Sequence, residues 1–189
     1  MNDTRNRILD VALEVLGQNP DAGMGDIASA AGVVRRTVYG HFPTRTDLVR
    51  TLAQRAVSEV AAVLDQVNTP GAAAETVWVD FIARLWPLAH RYRVLVTLRR
   101  GEYGQEIHAL LGPVDKTLAD LVQRGQDTEV FGRHLPADLL SQLAYGTVFT
   151  IADNHLSTGA HDARAATITS LLVLGVSEPR ANALAGGQS

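Results

Sequence analysis

The sequence of 189 residues contains no cysteine, which rules out disulfides, thiolate metal sites and cysteine nucleophiles. No apolar run approaches the ~18 residues needed to span a bilayer. The opening Met1-Asn2-Asp3-Thr4-Arg5 lacks the apolar core of a signal peptide. These absences fit a soluble cytoplasmic protein with no membrane partner. There is no Gly-rich phosphate cradle, nucleophile elbow or paired-carboxylate pattern. There is no internal repeat, and no segment alternates as a strand would. His155, His161 and Asp162 straddle Gly159 and lack the i, i+4 spacing of a helix-borne metal site. Neither a metal nor another cofactor is expected.

What is present is ordinary globular material, 46% hydrophobic and 20% charged, enough for one large domain or two small ones. The formal charge of −3 does not suggest nucleic acid, but it is unevenly spread. Residues 33–55 hold five arginines (Arg35, Arg36, Arg45, Arg50, Arg55) against one acid, Asp47, while residues 56–189 hold ten basic residues against fourteen acids. Screening confines fields to roughly 10 Å, so the patch matters more than the sum. A solvated helix face is the plain alternative for such a cluster.

The apolar pattern has the helical period almost throughout. Ile8, Ala12 and Val15, with Leu9, Leu13 and Leu16, mark a first helix ended by Gly17, Asn19 and Pro20. Two short segments follow, one around Ile27, Ala28 and Ala31 closed by Gly32, the other from about Val34 to Phe42. Thr44-Arg45-Thr46-Asp47 reads as a capping box, opening a long helix to about Gln66. Asn68-Thr69-Pro70-Gly71 is the clearest breaker. Beyond it come a helix carrying Val77, Trp78, Phe81, Ile82 and Leu85 that Pro87 should kink or end, and helices around 91–100 and 102–111. Another opens at Gly112-Pro113, one follows Pro136, and a last one begins near Asp162. The tail 183–189 should fray. The expected fold is all-α with about nine helices. Residues 1–62 are expected to form an N-terminal domain around a two-helix motif at about 23–42, and residues 63–189 a helical body.

Residues 23–42 carry the function. Two helices of less than three turns are marginal alone and need a packing partner. Gly32 sits where the chain must turn sharply, in a conformation glycine tolerates best. The second helix then presents Arg35, Arg36, Thr37, Tyr39 and His41 around Val38, with Phe42 closing the core. A helix, a short glycine turn and a polar-basic second helix make a helix-turn-helix, whose second helix is sized for the major groove. At the exposed start of that helix Arg35 and Arg36 can take guanine bidentately.

Ile27-Ala28, Ala31-Gly32-Val33, Thr37-Val38-Tyr39 and His41-Phe42, with Arg45 and Leu48 beyond, closely resemble the TetR family of bacterial regulators across residues 5–60. Past residue 65 only the pattern of helices is similar. The resemblance implies a homodimer, usually a repressor, in which a ligand in the body moves two DNA-reading heads apart. It gives Tyr39 and His41 phosphate-facing roles, sets Thr37 against base edges or backbone, and puts Arg45 on the DNA backbone. Tyr39 also reads as a packed aromatic, and His41 as a core or capping histidine. Gly23 stands where the family often has a capping Thr or Ser, and Val34 where a polar residue is usual. Arg36 replaces a common small residue. These departures bear on which operator is read.

In the body, Trp78, Phe81, Trp86, Tyr92, Tyr103, Tyr145 and Phe149 are candidates to line a small-molecule pocket, with core packing the alternative for each. His108, Asp153 and His155 are candidate polar groups there. A single reading helix covers too few base pairs for useful specificity. Two-fold pairing on a palindromic site in double-stranded DNA doubles the contacts. Leu140, Leu143 and Thr147 on one late helix, with Ile168, Leu171 and Leu172 on another, suit a four-helix dimer interface. Ala144 and Ala165 would allow close approach. The alternative is that these leucines cover the monomer's own core. Two other functions compete with a regulator that is not an enzyme: a helical small-molecule-binding or scaffold protein without operator binding, and, more remotely, an enzyme with its site in the body.

Overall fold

Residues 2–69, 71–99, 101, 103–153 and 162–187 are described by the computed structural model, and every regular element among them is an α-helix. In chain order these are α1 (Asn2–Gln18), α2 (Met24–Ala30), α3 (Arg35–His41), α4 (Arg45–Val67) and α5 (Ala74–Arg91). Then come α6 (Val94–Arg99), α7 (Gly104–Asp127), α8 (Ala137–Ala152), α9 (Ala163–Val173) and α10 (Glu178–Gly186). The all-α class is as expected. His155 and His161 lie outside the described residues.

The helix starts follow local chemistry. At α4 the Asp47 carboxylate accepts from the Thr44 amide (3.1 Å) and the Thr44 hydroxyl (2.7 Å), while the Asp47 amide donates back to Thr44 Oγ1 (3.0 Å). This is the capping box read from the sequence. Asp162 caps α9 by accepting from the Ala165 amide at 2.9 Å. Ser177 precedes α10, with Pro179 in its first turn.

Three expectations are corrected. Pro87 does not end its helix, since α5 continues to Arg91. Likewise Gly112-Pro113 lies inside α7 instead of opening a new helix. An interior proline costs about 3 kcal/mol, but Ile107, Leu111, Val114, Leu118, Leu121 and Val122 along α7 are all buried. Each buried side chain of that size contributes about 1.5–3 kcal/mol, so their common face outweighs the lost bond. The C-terminal segment forms α10, held by Ala181 and Ala185, both buried.

The chain forms two compact units. The first contains Met1–Val57 and Arg91–Leu110, the second Ser58–His90 and Leu111–Ser189. In the first unit Ile8, Leu9, Ala12, Leu16, Ile27, Ala28, Val38, Phe42, Leu48 and Leu52 are buried. The second has Trp78, Phe81, Ile82, Leu85, Leu118, Val122, Leu140, Val148 and Leu171 at its centre.

Candidate nucleic-acid interface

The turn between α2 and α3 depends on Gly32, whose φ of 64° lies in the left-handed region. An L side chain there would be strained. The Val33 amide donates to Ala28 O (3.0 Å) and the Ala31 amide to Ile27 O (2.9 Å), tying the turn to α2. At the start of α2 the Gly23 amide donates to Asp26 Oδ2 at 2.8 Å. Gly23 itself supplies no side-chain cap, and neither does Val34 at the start of α3.

On α3 only Val38 is buried, with Phe42 just beyond it. A step of about 100° per residue then places Arg36 and Gly40 on the outward side, Thr37 and Tyr39 on the flanks, and Arg35 and His41 nearest the core. Arg36 and Tyr39 are exposed, Thr37 and His41 half-buried. Gly40 leaves the outward face clear one turn beyond Arg36. Arg35 is exposed but leans back across α2, where its guanidinium covers Gly25; a Cβ on Gly25 would stand 2.5 Å from Arg35 Nη2. Adjacent in sequence, the two arginines are divided by the fold.

The other three arginines of the basic cluster all have partners within the first unit, Arg50 at its surface. Arg45 donates from Nε to Ala22 O (3.3 Å), from Nη1 to Tyr103 Oη (2.7 Å) and from Nη2 to Pro20 O. Its guanidinium also lies 5.5 Å from the Tyr103 ring centroid. Arg45 is therefore a clasp within the first unit, tying the carbonyls of Pro20 and Ala22 to Tyr103. Arg50 pairs with Glu106 and, at 3.3 Å, with Asp47. The Glu106 hydrogen bond and charge hold its pKa above the ordinary value. Arg55 donates to Tyr92 Oη (3.0 Å) and to Asp10 (2.8 Å). Burial works against its charge, and the Asp10 bond with the adjacent Tyr92 more than offsets it, leaving the pKa raised. Much of the positive charge counted along residues 33–55 is thus matched inside the unit.

Residues 8–52 match the family model described as bacterial regulatory proteins, tetR family. The family match is to this head alone. A stretch of 51 residues is 57% identical to the HTH-type transcriptional repressor LfrR of Mycolicibacterium smegmatis, covering 27% of this chain and 27% of that protein. The chain thus matches little more than a quarter of that relative's length. Two solved structures share the fold. The fatty acid degradation regulator FadR from Bacillus halodurans has a TM-score of 0.73 at 22% identity, covering 90% of this chain and 94% of that one. LfrR from Mycobacterium smegmatis, in complex with proflavine, has a TM-score of 0.71 at 22% identity over 90% and 93%.

Outside the matched head, the aromatic candidates separate. Tyr103 folds into the first unit with Arg45. Trp78 is buried, donates from Nε1 to Ser170 Oγ at 3.0 Å, and meets Phe81 and Phe131 edge-on at 6.1 and 6.4 Å. Phe81 stacks on Tyr145 (6.3 Å), which meets Phe149 edge-on (5.0 Å). Trp78 and Phe81 therefore serve as core. Trp86 and Phe149 remain half-buried, Trp86 with its ring against His90. A surface hollow of about 420 Å³ is lined instead by Gln123, Gln126, Arg133, His134 and Pro136, none of them a pocket candidate from the sequence. Of the dimer candidates, Leu140 and Leu171 are buried in the second unit's own core. Leu143 and Leu172 are 46% and 43% exposed, Leu139 is 45% exposed, and Thr147 and Ile168 are half-buried.

Proposed function

We propose that this chain is a ligand-responsive transcriptional repressor of the bacterial cytoplasm that binds a palindromic operator in double-stranded DNA as a homodimer. The observation that carries this reading is α3. It is a short helix set by the Gly32 turn, with Arg36 outward and Arg35, Thr37, Tyr39 and His41 around it. Residues 1–62 serve as the reading domain and 63–189 as the ligand and dimer domain, with residues 91–110 folded into the first unit. The name of the repressor that matches the head, and the proflavine held by its solved namesake, support a repressor that responds to a small molecule. The half-buried Trp86 and Phe149 are the best-placed aromatics for an effector. Self-pairing is assigned to the exposed stripe of Leu139, Leu143 and Thr147 on α8 with Ile168 and Leu172 on α9. Four apolar side chains at regular helical spacing, two helices side by side, fit a four-helix interface.

The test is selection of bound duplexes from a random pool by the full-length protein. An inverted repeat with half-sites about one helical turn or a multiple apart is expected. A single unpaired half-site contradicts the dimer, and no enrichment contradicts DNA reading altogether.

A further inference from the structure

Val34 is the most exposed large apolar residue among those described, at 69%. It occupies the N-cap of α3 with φ −75° and ψ 150° and makes no side-chain cap. Two independent facts therefore set it against the interests of the fold. A valine is among the poorest N-caps, and Ser, Thr, Asp or Asn would hold the free amides of the first turn. An isolated exposed valine is ordinary on a protein surface, but this one begins the reading helix, two residues before the outward Arg36. Residues that break a local rule without a local gain are where function is expected.

The first residues of a reading helix are those that meet base edges. Base edges in the major groove present hydrogen-bond donors and acceptors, the bare C5–H of cytosine, and the thymine C5-methyl, which is the one apolar group that projects far enough to pack against a side chain. A hydroxyl at position 34 would face a phosphate or a polar edge equally well, whereas a branched hydrocarbon distinguishes a methyl from everything else. We infer that Val34 is a specificity-determining residue that reads a thymine methyl in each half-site. This rests on α3 being the DNA-reading helix, and the experiment separates the two failures.

The duplex selected by the full-length protein is remade with each thymine replaced in turn by deoxyuridine, which removes only the methyl. One position per half-site should lose about fourfold in affinity, the worth of one buried methyl, and both half-sites together about sixteenfold. In Val34→Ala and Val34→Ser the same replacements should cost less than twofold. Val34→Ser should also melt no lower than the parent, because serine caps the helix, so its lost methyl sensitivity does not come from unfolding. Equal affinity for every deoxyuridine duplex overturns the assignment of Val34, and so does a methyl effect undiminished in Val34→Ala. A pool that yields no enriched site overturns the DNA-reading helix and Val34 with it.

Discussion

Removing one oxygen from Tyr103 should destabilise the first unit without touching DNA affinity through charge. The Tyr103 hydroxyl accepts from Arg45 Nη1 at 2.7 Å, and the tyrosine is buried while the arginine is half-buried. A hydrogen bond to a charged group contributes about 1.5–3 kcal/mol when buried. Partial exposure of the guanidinium reduces that to about 1–2 kcal/mol. For a chain of this size 1 kcal/mol shifts the melting temperature by roughly 2–4 °C, so Tyr103→Phe should melt about 2–8 °C lower. Arg45→Ala also releases the carbonyls of Pro20 and Ala22 and should cost about 3 kcal/mol. The double variant should show a coupling of about 1 kcal/mol. Both tryptophans lie in the second unit, so the loss should be followed by far-ultraviolet circular dichroism, not fluorescence. Below their melting range, both variants should keep the parent's dependence of DNA affinity on salt. Unchanged melting in Arg45→Ala together with a salt slope lower by about 0.9 per half-site, the signature of one lost phosphate contact in each, would refute the clasp.

On the second unit, Leu143→Asp combined with Leu172→Asp should give a folded monomer by sedimentation at micromolar concentration, since both side chains are already accessible. Leu171→Ala should stay dimeric but lose about 2–5 kcal/mol, the cost of a core cavity; the reverse pattern would remove the interface from this face. Gly25→Ala should gain up to about 1 kcal/mol of helix stability while driving the Arg35 guanidinium off α2. Its DNA affinity should fall although its melting temperature does not, and unchanged affinity would show that the resting place of Arg35 is irrelevant to binding.

The helical class and the reading motif were legible because both depend on local chemistry. The helical period, the Thr44 to Asp47 box and the left-handed turn at Gly32 each act over a few residues. What could not be read was where long side chains end. Arg45, Arg50 and Arg55 form contacts with Tyr103, Glu106 and Tyr92, and no count of charges along residues 33–55 reveals partners so distant in sequence. Burial was equally hidden. Leu171 and Leu172 are neighbours of the same type, yet one is wholly buried and the other 43% exposed. Trp78 and Trp86 share a helix, but only Trp78 reaches Ser170 and the core. Pro113 signals a break that the apolar face of α7 overrides. The start of α10 was readable in Ser177-Glu178-Pro179, but its buried face is made of alanines, which give a weak apolar period.

The assignment of α3 as the reading helix is tested most directly by affinity for the selected duplex across a salt series, comparing parent, Arg35→Ala, Arg36→Ala and Arg45→Ala at a temperature where all are folded. Arg36→Ala should lose about 1–3 kcal/mol and relax preference at one base pair per half-site. Arg35→Ala should weaken every sequence alike and lower the salt slope by about 0.9 per half-site, while the slope of Arg45→Ala stays at the parent value. Parental affinity, slope and base preference in both Arg35→Ala and Arg36→Ala would contradict α3 as the helix that reads DNA.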